Sequence, residues 1–214
     1  MEGLESCLKN TPFESLIQEL YFGCINNTLT CTECAQPRKT EQSFLEIMLE
    51  VQEYLMDMST KQINSVSDSL DKYFAQEELD GVNCELCQKP TLHNRGPLIS
   101  KLPPILTFNL NRLAIDMTTF DRKKVNTRFE YPLELDMSKY LDQSPETPAH
   151  EQAKDPDQYT YELKSIVIHS GGPYGGHYYA YIKDDLKEGN WDVQMPEKFH
   201  EKPTEVDDRP AHVK

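Results

Sequence analysis

Two groupings of residues in this 214-residue chain have types and spacings that can do chemistry. The first is a pair of CxxC motifs, Cys31/Cys34 and Cys84/Cys87. Two thiolates three positions apart can reach one metal from a tight turn, and two such turns complete the closed tetrahedral four-cysteine set of structural zinc. The stretch from Cys34 to Cys84 is long for a compact zinc ribbon. It suits knuckles at the tips of two hairpins, with a helix and a strand between them. A redox CxxC or four unrelated thiols are the competing readings. Cys7 and Cys24 read as ordinary packed thiols.

The second grouping is GGPYGGHYYAYI, Gly171 to Ile182, in which His177 follows four glycines in six residues. Glycines permit positive φ and close backbone approach. The alternation after them reads as a strand carrying His177, Tyr179 and Tyr181 on one face. A histidine held by a strand beside an open loop has the rigidity and access that a general base needs. An ordinary surface or core histidine is the alternative.

The elements that must position these groups follow from periodicity. Phe13, Leu16, Ile17 and Leu20 recur at helical spacing, and Thr11-Pro12 predicts a helix over Thr11–Phe22 that Gly23 ends. Cys24–Thr30 predicts a strand into the first pair, and Leu45, Ile47, Leu49 and Val51 form one face of a strand over Phe44–Val51. A helix over Ser67–Glu78 buries Leu70, Tyr73 and Phe74, with Ser65 and Asp68 as its start signal. From Leu98 the chain reads as β: Leu106, Phe108 and Leu110 alternate after the extended Pro103-Pro104, and Phe129–Leu135, Tyr161–His169 and His177–Lys183 follow. The loop Ser170–Gly176 lies between the last two. Residues Asp142–Gln158, with three prolines and much charge, read as a flexible surface insertion.

The formal charge of −14 repels phosphate backbones, so the expectation is that nucleic acid is not a partner. No apolar run approaches the roughly 18 residues of a membrane span. MEGLESCLKN lacks the pattern of a secretory leader, so the chain is expected inside the cell, in cytoplasm, nucleus or both. There, paired CxxC motifs favour metal over disulfides.

GGHYYAYI followed by GNW, Gly189 to Trp191, closely resembles the histidine box of the ubiquitin-specific proteases. YFGCINNTLTCTEC, CELC, KLPPILTFNLNRL and YELKSIVIHSGG match that family's other motifs in order, so the resemblance runs from about Leu16 to Trp191. It implies an α+β, papain-like cysteine protease fold of fingers, palm and thumb, here truncated. Most of it would be antiparallel sheet, with a fingers subdomain built on a four-cysteine zinc site. His177 would be the catalytic base, and Gly175, Gly176 and Tyr178 would line the channel for ubiquitin's C-terminal tail. Cys31, Cys34, Cys84 and Cys87 would be the finger zinc ligands. The implied reaction is thiol-dependent hydrolysis after ubiquitin's C-terminal glycine, and the implied partners are ubiquitin and ubiquitinated proteins. The expected layout is one partial domain, with fingers about 20–95, palm about 96–195 carrying the insertion 142–158, and a tail 196–214.

The departures matter equally. No GNTCYLNS-like nucleophile box occurs, Cys7 in ESCLKNTPF has the wrong neighbours, and the acidic box that grips ubiquitin's tail is absent. The family's LKRF stands here as LNRL, Leu110 to Leu113. An Asp or Asn that orients the histidine usually follows the tryptophan by about four residues. Here the nearest acid is Asp192, in a different register. The expectation is therefore a deubiquitinase segment with the histidine and without the nucleophile. A non-catalytic ubiquitin-binding module or a remnant is the alternative, and a zinc-ribbon nucleic-acid binder is disfavoured by charge.

Overall fold

The computed structural model describes residues 2–55, 59–116, 118–143, 159–184 and 190–194. The tail and most of the insertion, from residue 144, lie outside them. The helices are α1 (Glu2–Leu8), α2 (Leu16–Tyr21) and α3 (Val66–Tyr73). In chain order the first strands are β1 (Gly23–Cys31), β2 (Pro37–Phe44), β3 (Ile47–Glu50), β4 (Gln52–Tyr54) and β5 (Thr60–Gln62). Then come β6 (Glu77–Cys84), β7 (Lys89–Lys101), β8 (Phe108–Asn111), β9 (Leu113–Ile115) and β10 (Arg122–Lys124). The last are β11 (Glu134–Asp136), β12 (Thr160–Glu162), β13 (Ser165–Gly172), β14 (Gly175–Asp184) and β15 (Asn190–Gln194). No described helix is long and apolar enough to cross a membrane.

Contacts divide the chain into two units. The first comprises Met1–Ile47, Asp71–Asn109 and Asp136–Thr160, and its centre is the antiparallel sheet β2-β1-β7-β6. Gly23 opens β1 where only glycine fits: a Cβ there would lie 2.3 Å from the Phe44 ring and 2.8 Å from the Lys101 carbonyl. The helix expected from Thr11 begins only at Leu16. The Thr11 hydroxyl donates to the Leu8 carbonyl (2.6 Å) and accepts from the Phe13 amide (3.2 Å), which holds this stretch in a turn. Ile17 is buried as the periodicity requires, but Phe13 is exposed.

On the same sheet, Asp142 is almost fully buried. Its carboxylate accepts from Asn26 Nδ2 (2.9 Å) and pairs with Lys39 Nζ (3.0 Å), while its amide donates to the Ile99 carbonyl (2.8 Å). Tyr140 stacks on Phe74 with ring centroids 4.8 Å apart and donates its hydroxyl to Asp71 (2.8 Å).

The second unit comprises Met48–Leu70, Leu110–Leu135 and Tyr161–Lys214. Its antiparallel sheet β13-β14-β15 buries Ile166, Ile168 and Tyr181 against Tyr131, Leu163 and Tyr179. The strand expected over Phe44–Val51 is divided by a bend at 45–46, yet Ile47, Leu49 and Val51 are buried as the alternation requires. Ser65 Oγ accepts from the Asp68 amide (3.1 Å), capping α3 as its sequence signals. The helix stops at Tyr73, short of the expected Glu78, because the chain from Glu77 is taken into β6. Of the strand expected over Phe129–Leu135, only a bridge at Glu130 and the start of β11 form.

Candidate functional site

The two CxxC pairs occupy the tips of two hairpins in the first unit. β1 ends at Cys31, and β6 ends at Cys84. Each tip closes by the same device. The Ala35 amide donates to the Cys31 carbonyl and the Gln88 amide to the Cys84 carbonyl, both at 3.0 Å, and both residues take positive φ, 55° and 57°. Lys89–Glu33 (2.8 Å) and Arg38–Glu85 (3.1 Å) ion pairs join one tip to the other across solvent.

All four sulfurs lie within 4.8 Å of one another, with Cys31–Cys87 at 3.9 Å and Cys34–Cys84 at 3.6 Å. A tetrahedron of metal–sulfur bonds of about 2.3 Å has edges of about 3.8 Å. The four thiols therefore fit one tetrahedral metal ion, and as free thiols they are far outside disulfide length. Their protonation is uneven. Thr91's hydroxyl, followed by the Cys34 and Glu33 amides, holds Cys31 down at about 6, whereas burial pushes Cys87 up to about 12. Thr91 and His93, buried on one face of β7, are not singled out by motif spacing; their alternation beside the second CxxC is the signal that marks them.

His177 lies in the second unit, on β14 and directly opposite Ser170 of β13. Pairing continues to Gly172↔Gly175, so the loop expected over Ser170–Gly176 shrinks to the turn Pro173-Tyr174. Gly171 and Gly176 face each other across the hairpin, and neither admits a side chain. A Cβ on Gly171, at φ +125°, would meet the Gly175 carbonyl at 2.6 Å, and one on Gly176 the Ser170 carbonyl at 2.1 Å and His169 Nε2 at 2.5 Å. A Cβ on Gly175 would meet open space. The alternation puts His177 on the face that buries Tyr181, at the exposed end of that face. Tyr178 points the other way, 65% exposed, with its ring 4.8 Å from that of His169.

Two basic residues brace this hairpin and the segment beside it. Lys124 Nζ donates to the His169 (2.7 Å) and Gly171 (3.1 Å) carbonyls, the two that flank Ser170. Arg112, the arginine of LNRL, donates to the Val125 (3.0 Å) and Thr127 (2.9 Å) carbonyls and lies over the Phe129 ring. A cleft of about 450 Å³ lies between the β9–β10 hairpin and Gly171–Pro173, lined with acids (Asp116, Asp121) and bases (Arg122, Lys123, Lys124). The backbone of Asp192 stands opposite Ile182, five residues along β14 from His177; its side chain lies outside the described residues.

A mostly antiparallel protein with paired thiol knuckles and a glycine-built histidine hairpin has the ubiquitin-specific protease fold. The SAGA DUB module of Ubp8, Sgf11, Sus1 and Sgf73 bound to monoubiquitin superposes with a TM-score of 0.67 at 22% identity, covering 89% of this chain and 39% of that one. The same module bound to ubiquitin aldehyde gives 0.64 at 23% identity, covering 88% and 40%. The ubiquitin carboxyl-terminal hydrolase family model matches residues 1–205, and the chain belongs to that family. Ubiquitin carboxyl-terminal hydrolase 40 of Homo sapiens is 32% identical over 196 residues, 90% of this chain and 14% of that protein. Ubiquitin C-terminal hydrolase 12 of Arabidopsis thaliana is 34% identical over 193 residues, 87% of this chain and 16% of its own length. The chain thus spans about one-seventh of the length of ubiquitin carboxyl-terminal hydrolase 40 from Homo sapiens and Mus musculus.

Proposed function

We propose that this chain is the fingers-and-histidine portion of a cysteine-type deubiquitinase, acting inside the cell on ubiquitin joined to other proteins. The observation that carries this reading is His177, held by the pairing of β14 opposite Ser170 at the exposed end of the buried face. In the reaction a cysteine thiolate adds to the carbonyl carbon of ubiquitin's last glycine. His177 donates a proton to the departing amine, then takes one from the water that hydrolyses the thioester.

Gly175, open on the side where a Cβ would project, and exposed Tyr178 are the tail-contacting residues of this reading. Gly176 serves by letting His169 and Ser170 close over it. Asp192 is at most a weak orienting acid, because five strand residues separate its register from His177, about 16 Å along the strand. Zinc is the metal for Cys31, Cys34, Cys84 and Cys87, since four thiolates at tetrahedral spacing are its typical closed set. Bound there it supplies structure and no chemistry of catalysis. The fingers are proposed as about 20–95 and the palm as about 96–195.

The second reading, a ubiquitin-binding module without catalysis, is favoured by the cysteine inventory. Four thiols form the knuckles, and Cys7 and Cys24 sit outside any nucleophile box. We propose that the 214 residues alone bind ubiquitin weakly and do not cleave it. The test incubates the purified chain with ubiquitin bearing a fluorogenic C-terminal leaving group, and follows its resonances during ubiquitin titration. No turnover is expected, with shifts at Gly175 and Tyr178 that weaken as salt rises, since the chain carries −14 and meets a basic tail. Turnover abolished by Cys7→Ser or Cys24→Ser makes that thiol the nucleophile. Absence of any ubiquitin-induced shift at low salt ends both readings.

A further inference from the structure

Zinc with four thiolates leaves the site doubly negative, and one of the four, Cys31, is only 1% exposed. Negative charge buried away from water needs hydrogen-bond donors aimed at it. The side chain that meets this need is Thr91, itself 4% exposed, with Oγ1 3.3 Å from Cys31 Sγ. Its neighbour on the same face of β7 is His93, 5% exposed and paired across the sheet with Cys31.

Taking the shorter contact of His93 Nδ1 as its hydrogen bond orders the rest of the network. His93 Nδ1 lies 3.2 Å from the Thr91 carbonyl and 3.5 Å from Thr91 Oγ1. A carbonyl only accepts, so the shorter contact requires Nδ1 to carry the proton. A protonated Nδ1 cannot accept from Oγ1. The threonine proton is then left for the sulfur, which as a metal-bound thiolate only accepts. Sequence spacing hides this relation, because Cys31 and Thr91 are 60 residues apart and meet only through the β1–β7 register.

We propose that Thr91 is an outer-sphere positioning residue of the zinc site, its hydroxyl donating to the Cys31 thiolate and fixing the rotamer of that ligand. The proposal rests on the zinc reading above. Outer-sphere partners of this kind typically change metal affinity by about 10–100-fold. Thr91→Val keeps the shape of the side chain and removes the donor, whereas Thr91→Ser keeps the donor.

The experiment first counts zinc per chain in the wild-type protein, then compares chelator competition for wild type, Thr91→Val and Thr91→Ser. Zinc held about 10–100-fold more weakly by Thr91→Val, with Thr91→Ser close to wild type, is the expected result. Cobalt substitution supplies a signature that packing alone does not move: the sulfur-to-metal charge-transfer band of Thr91→Val shifts to longer wavelength. If Thr91→Val does not fold, the wild-type protein loaded with an NMR-active cadmium isotope decides. A slowly exchanging Thr91 hydroxyl proton coupled to cadmium through the sulfur supports the proposal, and a freely exchanging one overturns it. Wild-type protein without zinc ends the zinc reading and this proposal together. Wild-type zinc with an unchanged Thr91→Val affinity and spectrum overturns this proposal alone.

Discussion

Ser170 stands directly across the hairpin from His177, and Lys124 donates to the carbonyls on either side of Ser170. One half-buried cation therefore fixes the backbone that the histidine is paired with. Replacing Lys124 by Met leaves two carbonyls without their charged donor, at a cost of about 1.5–3 kcal/mol. Hydrogen exchange is expected to quicken at the amides of Gly171–Gly176 more than elsewhere in the second unit. Uniform quickening throughout that unit would mean that Lys124 braces the whole unit and not this turn.

The two glycines before His177 are expected to part company on substitution. Gly176→Ala drives a methyl group into the Ser170 carbonyl and the His169 ring, so it should unpair the hairpin tip and dissolve the His169–Tyr178 stacking in NMR spectra. Gly175→Ala meets nothing, so its melting temperature should stay close to wild type while ubiquitin-induced shifts shrink. Equal destabilisation by both would sink the assignment of Gly175 to a ligand channel.

Ala35 and Gln88 take the left-handed conformation that glycine adopts freely. Ala35→Gly and Gln88→Gly relieve backbone strain and lose some to the freer unfolded chain, for a net gain of about 0.5–2 kcal/mol each. Thermal denaturation of the metal-loaded protein reads this as a higher midpoint for each variant. Stripping the metal should lower protection at both knuckles first, since the ligands all belong to the hairpin tips of the β2-β1-β7-β6 sheet.

Burial, reinforced by the hydrogen bond to Asp71, pushes the Tyr140 hydroxyl up to about 12 from its ordinary 10. A folded-state value above the unfolded one contributes stability that is complete below about pH 10 and is lost as pH rises towards 12. Tyr140→Phe keeps the stacking on Phe74 and removes this ionisation. The variant should lose less stability than wild type between those two pH values, although it is less stable at neutral pH. Denaturant midpoints measured across that range make the comparison, and parallel curves would show that Tyr140 plays no part.

How much the sequence discloses depends on how local each signal is. The knuckles are legible because Cys31/Cys34 and Cys84/Cys87 each act within one turn, and the α3 cap because Ser65 and Asp68 are three residues apart. Gly171–Gly176 reads as a loop but folds as a paired hairpin. Glycine permits an open loop and a tightly paired hairpin equally, and only the partner strand decides between them. Thr11 shortens its helix through hydroxyl bonds that compete with the helical pattern. Lys124 and Thr91 hide their contacts for a different reason. Their partners are 45 and 60 residues away, so the chain around them does not say which residue they meet, even where alternation beside the second CxxC marks Thr91 as buried.

The buried Asp142 has a consequence for how this protein can change. Asp142 is held by Asn26, Lys39 and the Ile99 carbonyl, and the Tyr159 carbonyl accepts from the Met137 amide (3.0 Å) of the same unit. Both ends of the intervening stretch are thus nailed to the same framework. Doubling the length of chain between two fixed points costs only about 0.6 kcal/mol of closure entropy. Evolution can therefore lengthen, shorten or rewrite the stretch without disturbing the sheet, and a protein engineer can graft an epitope or a whole reporter domain into it.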